Sequence, residues 1–338
     1  MKTTTHFIVL VALVSLVSCK DQINTPTTAS EKIVYTTVDN SNSLVIPHVI
    51  AADSSGITTQ DLGAGFLFHA GNTLLLWGSG TSEDSSELLI TDRSGNSRTV
   101  LKNLLGPKEE FYLTCVISPD GSKIIYGVAD TSDMSMHLYL ANSDGTSKIE
   151  LTNRWGHETR FCFSPDSKQV AYYRTEGNGA SMHTILEIAS VTGGSRVKVT
   201  DVEDTYNDGN SSIAWSAKNI LAYQDNGAIY TINLDGSNKQ KISDGYCPSW
   251  SPTGDTLAYA FDDIMLTWDN GATKMNLTNS NGISEGFPNW SGDGKRLLVT
   301  RWLGNRIEDA VLSLQEYNLT TGTDKLIASP GAYGYYVK

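Results

Sequence analysis

The sequence predicts an all-β fold in which four-stranded units repeat around a ring, the arrangement of a β-propeller. A short turn motif recurs at spacings of 35 to 52 residues, which is the period of one four-stranded blade. Each copy is followed by a short run of residues that is apolar on both faces, so both faces must be buried between neighbouring blades. The copies are Ile117–Gly121, Phe163–Ser167, Trp215–Asn219, Trp250–Gly254 and Trp290–Gly294.

The best-preserved copy shows why this motif forms a turn. In Ser118-Pro119-Asp120-Gly121 the proline presets φ, the aspartate hydrogen-bonds nearby backbone, and the glycine accepts a left-handed conformation. The turn therefore joins two antiparallel strands. The aromatic residue ahead of most copies, such as Trp290, is expected to wedge between blades, because a large ring buries roughly 150–250 Å².

A second set of turn signals sets the number of blades. Seven such turns occur, whereas the inner anchors number six when Phe66–His69 is counted as a degenerate copy. We expect the seventh inner strand from the C-terminal Tyr333–Val337, which would complete a blade begun at Ile33–Val38 and remove free sheet edges. Seven blades closed by this C-terminal strand are therefore favoured, and six blades are the fallback. The outer turns are Asp53–Gly56, Asp92–Gly95, Ser143–Gly145, Val191–Gly194, Leu234–Gly236, Asp269–Gly271 and Thr320–Gly322.

The repeat resembles that of a known family. An aromatic residue, then Ser-Pro-Asp-Gly, then (Ile/Leu)-Ala-Tyr is similar to the WD40-like (PD40) repeat of the TolB C-terminal propeller family, over about residues 60–330. The resemblance implies the fold but no single activity, since propellers host both enzymes and binding scaffolds. The expected seven blades depart from the six that are usual in TolB-type propellers, and the chain lacks room for the α/β domain of TolB.

The N-terminal residues form a pattern that predicts a bacterial lipoprotein signal. Lys2 supplies a positive charge, Phe7–Val17 is apolar, and Leu16-Val17-Ser18-Cys19 matches the box of the lipoprotein signal peptidase. We expect residues 1–18 to be the signal peptide and residues 19–31 to be a flexible tether that begins at lipidated Cys19. One propeller domain then covers residues 32–338. Lys20 after the cysteine favours the outer membrane, on either its periplasmic or its surface side; an ordinary secretory signal is the alternative.

The composition of the chain argues against some classes of binding partner. The net charge of −12 and the absence of a basic cluster argue against nucleic acid, whose affinity rests on neutralising phosphates. Membrane contact is expected only through the lipid anchor. Beyond Cys19 the chain has Cys115, Cys162 and Cys247, which we interpret as buried free thiols, with a Cys115–Cys162 bridge as the alternative.

Catalytic and metal motifs are weak. Gly282–Gly286 matches G-x-S-x-G around Ser284, but that elbow needs a strand followed by a helix, and a loop is expected here. Oligogalacturonate lyases, whose propellers carry similar repeats, build a metal site from several histidines, but the spacing of the histidines here does not indicate one. No catalytic residue, metal or cofactor is predicted. The histidines of the mature chain are His48, His69, His137, His157 and His183.

Acidic residues recur five to seven residues ahead of the anchors, in segments interpreted as the loops that lead into the inner strands. Such residues could form a negative ring around the channel mouth, or each could cap its own loop or pair with a neighbouring blade, for example with Arg160. They are Glu110, Glu158, Asp208, Asp244 and Glu285. Long loops add aromatic and basic candidates of the kind enriched at binding sites, Trp155, Arg174, Arg301 and Trp302.

These features predict a non-enzymatic envelope lipoprotein that binds a protein or glycan partner through the loops at its channel mouth. The alternative is an envelope enzyme, a lyase or glycoside hydrolase, acting on polysaccharide. Two carboxylates that converge in one pocket would favour the enzyme.

Overall fold

The computed structural model describes residues 31–39, 46–52, 58–64, 66–70, 74–79, 87–92, 98–101, 104–105, 109–132, 136–151, 161–176, 183–203, 212–280, 283–303, 311–329 and 331–337. Over these ranges the chain is all β, with 28 strands. None of the residues described forms a helix of the length and hydrophobicity that crossing a membrane requires.

The strands follow one another in antiparallel order along the chain. They are β1 Lys32–Asp39, β2 Ile46–Ala52, β3 Thr58–Ala64, β4 Phe66–Ala70, β5 Leu74–Ser79, β6 Glu87–Asp92, β7 Arg98–Leu101, β8 Glu109–Ile117, β9 Lys123–Asp130, β10 Met136–Asn142, β11 Ile149–Glu150, β12 Phe161–Phe163, β13 Gln169–Glu176, β14 His183–Ser190, β15 Arg196–Val202, β16 Ile213–Trp215, β17 Ile220–Asp225, β18 Ala228–Asn233, β19 Gln240–Asp244, β20 Tyr246–Trp250, β21 Leu257–Phe261, β22 Asp263–Trp268, β23 Thr273–Asn276, β24 Ser284–Trp290, β25 Arg296–Leu303, β26 Val311–Asn318, β27 Thr323–Ala328 and β28 Ala332–Val337.

These strands form seven four-stranded sheets within the described part of the chain, and each sheet is one blade. Blade 1 has the order β28-β1-β2-β3, and blades 2 to 7 take four consecutive strands each, from β4–β7 to β24–β27. The innermost strand of a blade is the first in this order. The prediction of an all-β propeller with seven blades is therefore confirmed, and Phe66–Ala70 is the inner strand of blade 2.

The ring closes through the C-terminal strand, as the turn count predicts. Strand β28 pairs antiparallel with β1, with Lys32 opposite Val337 and Val34 opposite Tyr335. Ile33 and Val34 are fully buried, and Tyr335 is 4 % exposed. The two ends of the described chain thus share one sheet, and the pairing covers the edge of β1 that would otherwise be free.

The repeated turn has the geometry that its sequence predicts. In blade 3 the Ser118 hydroxyl donates to Asp120 at 2.7 Å, the Gly121 N–H donates to the Ser118 carbonyl at 2.8 Å, and Gly121 has φ 73°. Where the copy lacks glycine, Ser167 and Asn219 adopt the same left-handed conformation, with φ of 61° and 58°. The turn geometry is therefore kept although its sequence varies.

The aromatic anchors lie between blades, as expected. Trp215 and Trp250 belong to one hydrophobic cluster that joins blades 4, 5 and 6. The Trp290 indole N–H of blade 7 donates to the Ser249 carbonyl of blade 6 at 3.0 Å. The core is thus a circle of side chains packed between neighbouring sheets.

The cysteines after Cys19 are buried and free, so the interpretation as free thiols is confirmed. Cys115, Cys162 and Cys247 lie on the inner strands β8, β12 and β20. Burial raises the pKa of the Cys115 thiol, which keeps it protonated and unreactive.

Because the strands alternate in direction, the ring has two faces. We call the face with the turns between first and second strands, such as Ser118–Gly121, the turn face; the outer hairpin turns lie there too. The opposite face, where inner strands begin and second strands end, is the mouth face. On blade 7 it is marked by Ser284 and Leu303.

Candidate functional site

Blade 7 brings three of the predicted site residues together at the mouth face. Inner strand β24 pairs with β25 so that Ser284 lies opposite Trp302 and Glu285 lies opposite Arg301. In sequence these partners lie far apart, but the antiparallel register makes them neighbours. The mouth-face end of blade 7 therefore combines a carboxylate, a guanidinium and an indole.

Glu285 and Arg301 form a buried ion pair. The Glu285 side chain is 0 % exposed and that of Arg301 is 17 % exposed. The guanidinium Nε donates to Glu285 Oε1 at 2.7 Å, and the Tyr317 hydroxyl donates to the same oxygen at 3.3 Å. Glu285 Oε2 has no hydrogen-bond partner among the residues described. The side-chain donors described for this carboxylate therefore reach only one of its two oxygens, and the carboxylate is not exposed to solvent.

The surroundings of the pair favour a charged arginine beside an undissociated tyrosine. Burial lowers the pKa of Arg301, but the hydrogen bond to Glu285 and the nearby Tyr317 outweigh it, so the pKa is raised overall. Burial first, and then the Glu285 charge, raise the pKa of Tyr317. Tyr317 therefore stays protonated, and its hydroxyl donates a hydrogen bond to Glu285.

Blade 4 has a related group at the equivalent position. On the second strand of blade 4, Arg174 lies four positions beyond Val170, which pairs with the anchor Phe163. Arg301 lies at the same place in blade 7, four positions beyond Leu297, which pairs with the anchor Trp290. Arg174 binds Glu187 through two bonds, Nε to Oε2 at 3.0 Å and Nη2 to Oε1 at 3.1 Å. The Tyr172 hydroxyl also donates to Glu187. Both predicted arginines are therefore held by a carboxylate and accompanied by a tyrosine.

The acidic residues do not share one position in the blades. Glu285 and Glu110 lie inside the inner strands β24 and β8, so the expectation that they occupy loops is wrong. The partner of Glu110 on the second strand is Ala129, five positions beyond Ile124, which pairs with the anchor Ile117. The partner of Glu285 is Arg301, only four positions beyond Leu297, which pairs with the anchor Trp290. Since a β-strand alternates faces with each residue, these two positions are out of phase.

Asp244 differs from both. It ends the outer strand β19, is 63 % exposed, and forms an ion pair with Lys241 at 2.7 Å. Glu158, Asp208 and Trp155 lie outside the described residues. The acidic candidates whose side chains are described, Asp244 and Glu285, each form an ion pair with a cation of their own blade, Lys241 and Arg301, and not with one of a neighbouring blade.

Trp302 belongs to an aromatic group at the entrance of the channel. Its ring centroid lies 5.5 Å from that of Phe287, in a tilted arrangement. A Cβ added to Gly286 would lie 2.9 Å from the Trp302 ring and 3.6 Å from the Tyr246 ring, so glycine is needed for this packing. Burial raises the pKa of Tyr246 to about 12, and its hydroxyl donates to the Glu285 carbonyl at 3.4 Å.

The inner strands of blades 6 and 7 share an unusual bulge beneath these rings. Cys247 and Phe287 have φ of 52° and 55°, which is rare for residues with large side chains, and each precedes a proline. The strand registers shift at both places. Cys247 and Phe287 join one hydrophobic cluster with Cys115 of blade 3, so apolar side chains from well-separated blades meet near the axis.

Sequence reasoning missed Tyr246, Phe287 and Tyr317. A signal for the first two was present, because Tyr246-Cys-Pro-Ser-Trp250 and Gly286-Phe-Pro-Asn-Trp290 repeat an X-Pro pair three residues before the anchor. Tyr317 carried no such signal. It lies on the third strand, and only the fold brings its hydroxyl to Glu285.

The remaining catalytic candidates are also placed. Ser284 is the first residue of strand β24, not part of a loop, and the chain continues as a strand, so the arrangement is not a nucleophile elbow. Within the described ranges, no group of three or more His, Cys, Asp or Glu side chains is placed to hold a metal ion. His137 instead forms a bond of 2.9 Å with Glu150 on blade 3.

Comparison with known proteins agrees with the fold. No protein-family model matches the chain, and no curated protein matches it. Oligogalacturonate lyase in complex with manganese superposes with a TM-score of 0.58 at 13 % identity, over 88 % of this chain and 85 % of the lyase. TolB from Acinetobacter baumannii gives 0.53 at 15 %, over 91 % and 83 %. The tricorn protease gives 0.60 at 11 %, over 92 % of this chain and 36 % of its own.

Identities this low establish a shared fold and nothing finer. The chain has a β-propeller fold similar to that of TolB, which confirms the fold that the resemblance of the repeat implies.

Proposed function

We propose that this chain is a non-enzymatic cell-envelope lipoprotein whose propeller binds a protein partner at the mouth face. One observation carries the proposal. At this face Glu285 and Arg301 are paired inside the protein, while large aromatic surface remains accessible: Phe261 is 48 % exposed, and Trp302 and Tyr246 are half-buried. Aromatic residues are enriched, and unpaired charges depleted, in the core of protein interfaces.

The pairing also bears on the enzyme alternative. A glycosidase needs two carboxyl groups about 5–10 Å apart, one of them able to hold or accept a proton. The described side chains that contact the Glu285 carboxylate are a guanidinium and a phenol, not a second carboxyl group. The polysaccharide-active enzyme is supported only by a fold likeness at 13 % identity.

The N-terminal end of the domain supports presentation of the mouth face to a partner. Glu31 Oε1 accepts the Gly292 N–H at 2.7 Å, and Arg296 binds the other oxygen of Glu31. Both partners belong to the turn face of blade 7, and β1 begins beside them. A tether that ends at Glu31 therefore leaves the ring from the turn face, with the mouth on the opposite side.

Lipid anchoring rests on Cys19, which lies outside the described residues. Cys19→Ala should leave the protein unprocessed or release it from the membrane. Envelope fractionation with labelled palmitate measures this. A mutant that stays in the outer membrane and still carries label would contradict the assignment.

Partner binding is tested by cross-linking in the intact envelope. Trp302→Ser should lose the cross-linked partners found with the wild type. Trp268→Ser is the matched control, because Trp268 is also a half-buried tryptophan but ends β22 at the turn face. Equal loss in both variants, or capture of glycan in place of protein, would count against a protein-binding mouth.

A further inference from the structure

A polar cleft lies on the turn face, between the outer hairpin of blade 5 and the neighbouring turn of blade 6. Its volume is about 510 Å³, within the range of small-molecule sites. We propose that this cleft binds a neutral saccharide unit. The proposal is independent of the mouth, which lies at the other end of the strands. The lining includes Ile220, Ile232, Asn233, Asn238, Gln240 and Asn270.

A comparison of blades shows why the cleft opens in blade 5. In blade 3, Lys123 pairs with Asn142, and its Nζ donates to Asn142 Oδ1 at 2.6 Å. The equivalent pair in blade 5 is Ile220 and Asn233. Asn233 Nδ2 donates to Ser237 at 2.9 Å, as Asn142 Nδ2 does to Thr146 at 2.7 Å.

Ile220 in place of a lysine changes the polar groups that are accessible beside Asn233. No donor among the described residues reaches Asn233 Oδ1, whereas the lysine of blade 3 fills the same corner and binds the oxygen. Blade 5 therefore offers an amide acceptor beside an apolar wall. This combination of an acceptor and a hydrocarbon surface suits the hydroxyl edge and the C–H face of a sugar ring.

The other lining groups have the same neutral chemistry. Gln240 Nε2 donates to the Asn270 carbonyl at 2.8 Å, which ties the two blades together and fixes one wall. Its Oε1 and the Asn238 and Asn270 side chains supply further donors and acceptors side by side. The one lining cation, Lys239, has its Nζ 3.2 Å from Asp225 and 4.9 Å above the Tyr230 ring. Its charge is therefore balanced, and the cleft favours an uncharged, hydroxyl-rich ligand.

The test uses the full chain, solubilised in a detergent without a sugar head group. Saturation-transfer NMR and titration measure binding of cellobiose and maltose, with digalacturonic acid as the charged comparison and a capped tetra-alanine peptide as the amide comparison. We expect the neutral disaccharides to bind more tightly than either comparison. Asn233→Ala and Asn238→Ala should each weaken binding by about tenfold, the effect of one lost hydrogen bond.

Two further variants separate binding from stability. Asn142→Ala removes the matching turn bond in blade 3 and should leave saccharide binding unchanged. Ile220→Lys installs the lysine of blade 3 and should abolish binding by occupying Asn233 Oδ1. Asn238 is exposed but has φ 55°, a conformation that alanine adopts less readily than asparagine, so melting curves check all the variants. The proposal is overturned if no neutral disaccharide binds, if the peptide or the acidic sugar binds better, or if Asn142→Ala weakens binding as much as Asn233→Ala.

Discussion

Removing one partner of the buried Glu285–Arg301 pair should destabilise the propeller strongly. Glu285 is 0 % exposed in the wild type, and in Arg301→Met its carboxylate keeps a single described donor, Tyr317 at 3.3 Å, while Oε2 already lacks a partner. Breaking a buried pair in this way costs about 3–5 kcal/mol of unfolding free energy. Because Arg301 is 17 % exposed, water can partly replace it, and we expect a value of about 3 kcal/mol.

A double-mutant cycle separates the effect of the ion pair from the effect of side-chain packing. Glu285→Leu alone leaves Arg301 without its carboxylate, whereas the double variant Glu285→Leu/Arg301→Met leaves neither charge unpaired. Replacing both members of a buried pair with apolar residues is often neutral or stabilising, so the double variant should be more stable than the sum of the two single changes predicts. The control is Lys241→Met, since the Lys241–Asp244 pair is exposed to water on both sides and should contribute nothing measurable.

The assay is equilibrium urea unfolding followed by tryptophan fluorescence, with partner cross-linking measured on the folded variants. A free-energy loss in Arg301→Met with binding per folded molecule unchanged would assign this pair to the fold. Unchanged stability together with lost binding would refute our reading and make Arg301 a binding residue.

The other predictions concern closure, packing and acid stability. Truncation after residue 330 removes β28, uncovers Ile33 and Val34 of β1, and should abolish cooperative unfolding in calorimetry; a truncated chain that melts like the full one would show that closure is dispensable. Gly286→Ala places a Cβ 2.9 Å from the Trp302 ring and should cost about 1–3 kcal/mol and shift the fluorescence maximum, which an unchanged spectrum would contradict. Hydrogen bonds from Ser164, outweighing burial, lower the pKa of Asp166 below 3.8, so its stabilising effect is present above that pH and lost as pH falls through the folded value; acid unfolding of Asp166→Asn should be less steep than that of the wild type.

Part of the candidate site could be predicted from the sequence. Glu285, Arg301 and Trp302 were selected on residue type and loop position, and the structure brings all three to the mouth-face end of blade 7. The placement of the acids in loops was wrong, and so was that of Arg174 on β13 and of Arg301 and Trp302 on β25, because the strands are longer than their apolar runs. The strand β24 begins at Ser284, well before Trp290. Counting back from an anchor also ignores bulges, and the bulge positions differ between β8 and β24.

The ring of blades follows from local features of the sequence. Turn chemistry and apolar runs are local properties that recur in every blade, and seven outer turns against six inner anchors require one strand from elsewhere in the chain. Strand β28 is that strand.

The partner of each charged side chain, in contrast, depends on the three-dimensional packing of the strands. Glu285 meets Arg301 and Tyr317 because three strands place them side by side, and Phe287 reaches the axis because a strained bulge turns the chain. The cleft in blade 5 likewise depends on which residue stands opposite Asn233. Such contacts join residues far apart in sequence, and a period-based pattern carries no information about which side chains meet across strands.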